Sequence, residues 1–157
     1  MRRDSDLALN RFISIIGRCS KSYFDRELRP VNIGAGQIRI LRILAIQDGI
    51  SQEQIRLDFH LDKGTVAKTI KPLVREGYIK RKKNPNDLRA YRIFLTEKGR
   101  SITPMLKETV RCWAEILTAG FSAEEKRAVN KLLSRMSENA RTHVFDKTSL
   151  QAVGSSE

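Results

Sequence analysis

Two cysteines, Cys19 and Cys112, are too few to build a disulfide framework in a chain of 157 residues. With only His60 and His143 beside them no zinc-ligand spacing forms, so no metal is expected. The sequence also has no uncharged run approaching the roughly 18 apolar positions of a membrane span. Its charged start, MRRDSD, leads into no apolar signal core, and the chain is expected to stay in the cytoplasm. A phosphate-binding glycine loop, a nucleophile elbow and a metal constellation are all missing, and the two histidines lie far apart. These absences argue against an enzyme and against a cofactor.

Positive charge is what the chain has in excess, with 30 Lys and Arg against 18 Asp and Glu. Residues 1–50 hold 9 basic and 5 acidic side chains, residues 51–100 hold 13 and 6, and residues 101–157 hold 8 and 7. A basic centre attracts a polyanion through counterion release, but a solvated face or an anionic membrane fits the same charge. At 40% hydrophobic content the chain can bury one ordinary core without staples.

Apolar residues at Leu9, Phe12, Ile13, Ile16, Tyr23, Phe24 and Leu28 follow a helical period that Pro30 ends. Gly34 and Gly36 punctuate the start of a second helix, with Ile40, Leu41 and Leu44 on one face, and Asp48-Gly49 closes it. Ser51 and Gln54 have the spacing of a capping box, so a brief helix is predicted from Gln52 with Ile55 and Phe59 inward. After the Leu61-Asp62 turn the aspartate can cap a helix from Lys63. Val66, Ile70 and Leu73 then point into the core and leave Lys63, Gly64, Thr65, Lys68 and Thr69 outward.

Gly77 ends that helix, and two extended runs, 78–83 and 88–95, flank the turn Asn84-Pro85-Asn86-Asp87. Ile79, Ile93 and Leu95 keep the alternation of a half-buried hairpin. Thr96 can cap a helix running from about Glu97 to Leu117, and Pro104 inside it predicts a bend unless it lies in the first turns. Ser122 and Glu125 repeat the capping-box spacing ahead of a last helix through Val129, Leu132, Leu133, Met136 and Ala140. The segment from Lys147 lacks periodicity and is expected to be a flexible tail.

Ser51-Gln52, the segment LDKGTVAKTIKPL, Asp87-x-Arg89 and Leu95-Thr96-x-x-Gly99 together resemble the MarR family of bacterial transcriptional regulators. The resemblance is specific over residues 51–99 and reaches in weaker form to about residue 143. It implies a mainly α fold with a small β-hairpin wing, a winged helix-turn-helix whose N- and C-terminal helices form a dimerisation domain. Residues 1–33 and 100–146 would be the dimerisation helices, 34–99 the DNA-binding region and 147–157 the tail. The implied function is a homodimeric regulator, a repressor released from an inverted-repeat operator by a small-molecule effector. A sequence-indifferent architectural DNA-binding or RNA-binding protein, in which the hairpin supplies only charge, stays open as the alternative.

Carried over by position, the helix from Lys63 becomes the recognition helix, with Lys63, Gly64, Thr65, Lys68 and Thr69 toward bases. Arg89 becomes the wing arginine, suited to the negative potential of a narrow minor groove, with Asp87 orienting its guanidinium. Lys82, Lys83 and Arg92 would add phosphate contacts, and Ser51 and Gln52 would hold another phosphate at their helix start. The chain departs from the family pattern at Arg56, where a small residue is usual, at Lys68, where arginine is common, and at Pro72 inside the recognition helix. Cys19 reads as a small core residue, Trp113 as an interface residue and His60 as a partly exposed turn residue.

Overall fold

Pro30 has no amide to offer the Arg26 carbonyl, and its ring would clash there, so helix α1 (Arg2–Glu27) stops before it. The chain turns through a short 3-10 segment, Arg29–Val31, and through Asn32 in the left-handed region at φ 54. The computed structural model describes residues 2–85 and 87–146; the side chains at 2–6, 88–89 and 145–146 lie outside that description, as does the whole tail expected from Lys147. The described residues fall into two units that divide between Ala114 and Glu115.

In the first unit, helix α2 (Ala35–Ile46) starts on two side-chain acceptors. Asp25 Oδ1 accepts from Ala35 N–H at 2.9 Å and Gln37 Oε1 from Gly34 N–H at 2.6 Å. Strand β1 (Ile50–Ser51) follows, then helix α3 (Gln52–Asp58) and helix α4 (Lys63–Arg75). Only half of the capping box expected at Ser51 forms. Ser51 Oγ accepts from Gln54 N–H at 2.9 Å, but the Gln54 amide donates forward to Asp58 Oδ1 at 2.6 Å instead of reaching back.

Strands β2 (Ile79–Asn84) and β3 (Asp87–Leu95) form the expected hairpin, and β1 adds a third strand on the far edge of β3. All pairs are antiparallel, with Ile50 opposite Ile93 and Arg81 opposite the same residue from the other side. Gly49 enters β1 at φ +76, where a Cβ would lie 2.6 Å from the Phe94 ring. Leu28, Leu41, Leu44, Ile55, Ile70, Leu73 and Ile93 are essentially sealed from solvent, each contributing about 1.5–3 kcal/mol by burial.

The single bent helix expected over 97–117 is instead two helices, α5 (Glu97–Ser101) and α6 (Thr103–Leu117), separated at Ile102. Pro104 cannot donate to the Arg100 carbonyl and its ring excludes it. The break therefore falls upstream, and Pro104 sits in the first turn of α6, where its missing amide is harmless. Gly99 is fixed by a close approach, since a Cβ there would lie 2.1 Å from the Tyr78 carbonyl oxygen.

One other expectation changes. Cys19 is exposed, because most of α1 ahead of Tyr23 meets solvent and only its last turns pack on the core. Trp113 is half-buried within the chain, stacked on Tyr23 at 4.9 Å between ring centres and edge-on to Phe24 at 6.3 Å. His60 lies exposed in a turn at φ 50, as expected. The second unit centres on helix α7 (Ala123–Arg141), opened by a reciprocal capping box. Ser122 Oγ accepts from Glu125 N–H at 3.2 Å, and Glu125 Oε2 accepts from Ser122 N–H at 2.7 Å. No α7 residue is buried; Leu132 and Leu133 are 55% and 52% exposed. Among the described residues no helix is long and apolar enough to cross a membrane.

Candidate nucleic-acid interface

Asp62 builds the start of α4 with both carboxylate oxygens. Oδ1 accepts from Thr65 N–H at 2.8 Å and Oδ2 from the Thr65 hydroxyl at 2.5 Å. Those bonds, the hydroxyl first, hold the Asp62 carboxyl below the usual aspartate range. One turn later the Thr69 hydroxyl donates to the Thr65 carbonyl at 2.8 Å. Both hydroxyl protons are thus committed within the helix, and what Thr65 and Thr69 can still offer is oxygen lone pairs. Both threonines are half-buried, while Lys63, Gly64 and Lys68 are exposed. Val66, Ile70 and Leu73 seat the opposite face in the core, as their spacing predicts.

Between α3, the first turn of α4 and the hairpin lies an open cleft of about 650 Å³. Ser51, Gln52 and Lys63 border it on the helical side, Arg81, Asn84, Asp87 and Tyr91 on the hairpin side. Arg56 lines it too, but its guanidinium is taken up by Glu53 one turn earlier, with Nε and Nη2 at 2.9 and 2.7 Å from one carboxylate oxygen. The arginine at this unusual position therefore brings its own counter-charge.

Pleating divides the basic side chains of the hairpin into two sets. Arg81 shares a face with Ile79 and borders the cleft, its guanidinium 4.4 Å from the centre of the Tyr91 ring. Lys82 and Arg92, directly opposite each other, share the other face with Phe94, at 5.3 and 5.9 Å from its ring centre. Arg92 Nε also donates to the Gly49 carbonyl at 2.6 Å, so part of its fork is spent tying β3 to the turn before β1. Lys83 is exposed opposite Tyr91, next to the register shift at Asn84. Arg89 lies in β3 by its backbone, and the expected pairing of its side chain with Asp87 falls outside the described residues.

The structure thus gathers Ser51, Gln52, Lys63 and Asp87 around one cleft, places Thr65, Lys68 and Thr69 along α4, and turns Lys82 and Arg92 to a separate face. Sequence reasoning gave no site role to Tyr91 or Asn84, did not single out Arg81 within the basic run 80–83, and noted Arg56 only as a departure from the family pattern. Alternation was the available signal for two of them, because Arg81 and Tyr91 stand two positions from the core residues Ile79 and Ile93.

Residues 33–91 match the family described as MarR family. The chain is 30% identical over 129 residues to the uncharacterized HTH-type transcriptional regulator YybA of Bacillus subtilis (strain 168), covering 82% of this chain and 86% of that protein. It is similar to the crystal structure of a MarR transcriptional regulator from Methanosarcina mazei Go1, with TM-score 0.82 and 37% identity over 87% of this chain and 98% of that one. A MarR family transcriptional regulator from Listeria monocytogenes complexed with 26mer DNA matches with TM-score 0.74 and 30% identity, over 82% of this chain and 86% of that one.

Proposed function

The chain belongs to the MarR family of DNA-binding transcriptional regulators, and from that membership we propose that it is a homodimeric repressor that grips an inverted-repeat operator and lets go when a small-molecule effector binds. The carrying observation is the cleft itself: a capped helix with an exposed basic edge stands across from a hairpin whose Arg81 is held in place by Tyr91. That pairing of elements suits a duplex, with α4 in the major groove and the hairpin tip at the neighbouring minor groove. The Listeria relative complexed with 26mer DNA supports duplex DNA as the partner.

In this reading Lys63, Gly64, Thr65, Lys68 and Thr69 face base edges, with the threonine oxygens accepting from exocyclic amino groups. Arg89 enters the minor groove under the guidance of Asp87. Lys82, Lys83 and Arg92 contact phosphates, Ser51 and Gln52 border the phosphate path, and together these position the protein without reading sequence. Residues 34–99 form the DNA-binding region and residues 1–33 and 100–146 the dimerisation helices. Leu9, Phe12, Ile13 and Ile16 on α1, and Leu132 and Leu133 on α7, are exposed apolar side chains that a second copy would cover. Release follows if the effector has higher affinity for a dimer whose recognition helices no longer match the grooves.

A footprint on the DNA upstream of the protein's own gene tests this reading. One short protected inverted repeat is expected. Uniform coating of the fragment would favour the sequence-indifferent architectural or RNA-binding alternative.

A further inference from the structure

The hairpin has a second face, turned away from the cleft. Pairing sets Lys80 opposite Phe94 and Lys82 opposite Arg92, and alternation puts all four side chains on the side that Arg81 and Tyr91 leave. Lys80, Lys82 and Arg92 are exposed, and Phe94 is half-buried.

This arrangement costs the hairpin stability. Lys82 and Arg92 are like charges directly opposite each other on a sheet and repel. No carboxylate pairs with Lys80, Lys82 or Arg92 among the described residues. Asp48, in the turn that edges this face, is committed to Arg100 and to the amides of Gly49 and Leu95. Asp87 borders the cleft instead. Arg92 gives its Nε to the Gly49 carbonyl, which leaves its terminal nitrogens as donors. Attraction of Lys82 and Arg92 to the Phe94 ring offsets part of the repulsion. A polyanion with closely spaced charges would offset the rest. Lys80 and Lys82 stand about 6.6 Å apart along the strand, and each strand of a duplex carries a charge every 3.4 Å or about that of its axis.

The position of this face selects the polyanion. With α4 in a major groove and the hairpin tip at the neighbouring minor groove, the hairpin stands between the half-site and the DNA beyond it, and its outer face looks along the duplex away from α4. We propose that Lys80, Lys82 and Arg92 bind the sugar-phosphate backbone of this flanking duplex, a second stretch of DNA that curves over the outer face of the hairpin. The proposal rests on the operator-binding reading and adds to it a surface that neither α4 nor the cleft supplies. Curving the flank costs elastic energy, which the added phosphate contacts offset. The flank contributes affinity and register without being read base by base.

Two duplexes test this: the inverted repeat upstream of the protein's own gene trimmed to its ends, and the same repeat extended by about ten base pairs, one helical turn, on each side. Fluorescence anisotropy with the full chain is measured on both across a salt series. Wild type is expected to bind the extended duplex about tenfold more tightly near physiological salt. Lys80→Gln, a change at an exposed side chain outside the cleft, should lose about fivefold on the extended duplex and nothing on the trimmed one. Its slope of log affinity against log salt should fall by about two on the extended duplex, one for each copy in the dimer, and hold on the trimmed one. Lys82→Gln should lose more on the extended duplex than on the trimmed one, and Lys80→Arg, which keeps the charge, should match wild type. An equal loss on both duplexes in Lys80→Gln would place Lys80 beside the half-site and overturn the flanking partner. No loss on either would overturn the role of this face. If wild type binds both lengths alike, no flank is held and the operator reading survives. If it binds neither, the operator reading falls and takes this surface with it.

Discussion

Asp48, in the turn before β1, is ion-paired through Oδ2 with Arg100 of α5, and its Oδ1 accepts from Gly49 N–H at 3.1 Å and from Leu95 N–H at 2.8 Å. One carboxylate thus fastens the start of β1, the end of β3 and the helix that leaves the sheet. The pair and the amide bonds differ in weight. The Arg100 side chain is 57% exposed, so the pair is worth at most about 1 kcal/mol, whereas an unsatisfied amide beside buried Leu95 costs about 1–3 kcal/mol. Chemical denaturation should therefore find Asp48→Ala clearly more destabilising than Arg100→Ala. Equal effects would mean that the ion pair, and not the amide bonds, holds the corner.

Arg81 and Lys83 should behave as phosphate contacts. Arg81→Ala and Lys83→Ala are expected to weaken binding equally on operator and random duplex, each lowering the slope of log affinity against log salt by about one. Tyr91→Leu should reproduce part of the Arg81→Ala loss, because it removes the ring on which the guanidinium rests. A Tyr91→Leu protein with full affinity would show that the stacking does not prepare Arg81 for DNA.

Residues that read sequence should show a different signature. Thr65→Val and Lys68→Ala are expected to narrow the gap between operator and random duplex, by about 1–3 kcal/mol for a contact that discriminates bases. Arg89→Ala should weaken operator binding with an unchanged melting temperature, as measured by fluorescence anisotropy and calorimetry. Wild-type affinity in Arg89→Ala would remove the minor-groove assignment.

The cap on α4 makes a pH prediction whose sign follows from Asp62. Its folded-state value lies below the ordinary aspartate value of 3.8, chiefly through the Thr65 hydroxyl and then the Thr65 amide. Such a group adds stability that is complete above the unfolded value and disappears as pH falls through the lower, folded value. Asparagine also caps helices but does not titrate. Melting temperatures of wild type and Asp62→Asn should therefore converge as pH drops below 3.8, with wild type ahead at neutral pH. Parallel curves would mean that the carboxylate charge contributes nothing to the cap.

What could be read from sequence was what neighbouring residues decide. The caps at Asp62, Thr96 and Ser122 are three-residue affairs, and each bonds the amide three positions on. The inward row of α4 follows from a period of 3.6. Strand β1 escaped because two residues carry no pattern, and its pairing of Ile50 with Ile93 spans the whole helix-turn-helix. Gln54 has two partners within a turn, the Asp58 carboxylate as acceptor and the Ser51 N–H as donor, and nothing local says that Asp58 wins. Cys19 was misplaced because a helical period marks an apolar row without saying whether this chain or another covers it. Arg81 was not told apart from its neighbours because a run of four basic residues hides the alternation that sends Arg81 to the cleft and Lys82 to the other face.

The account stands most directly on two copies of the chain engaging two half-sites at once. Sedimentation of the protein with an inverted-repeat duplex, and with the same duplex carrying about five extra base pairs between its half-sites, measures this, because half a helical turn moves one site to the opposite side of the duplex. The expected result is two chains on the first duplex, with affinity lost on the second. One chain per duplex, or equal affinity for both spacings, would contradict it.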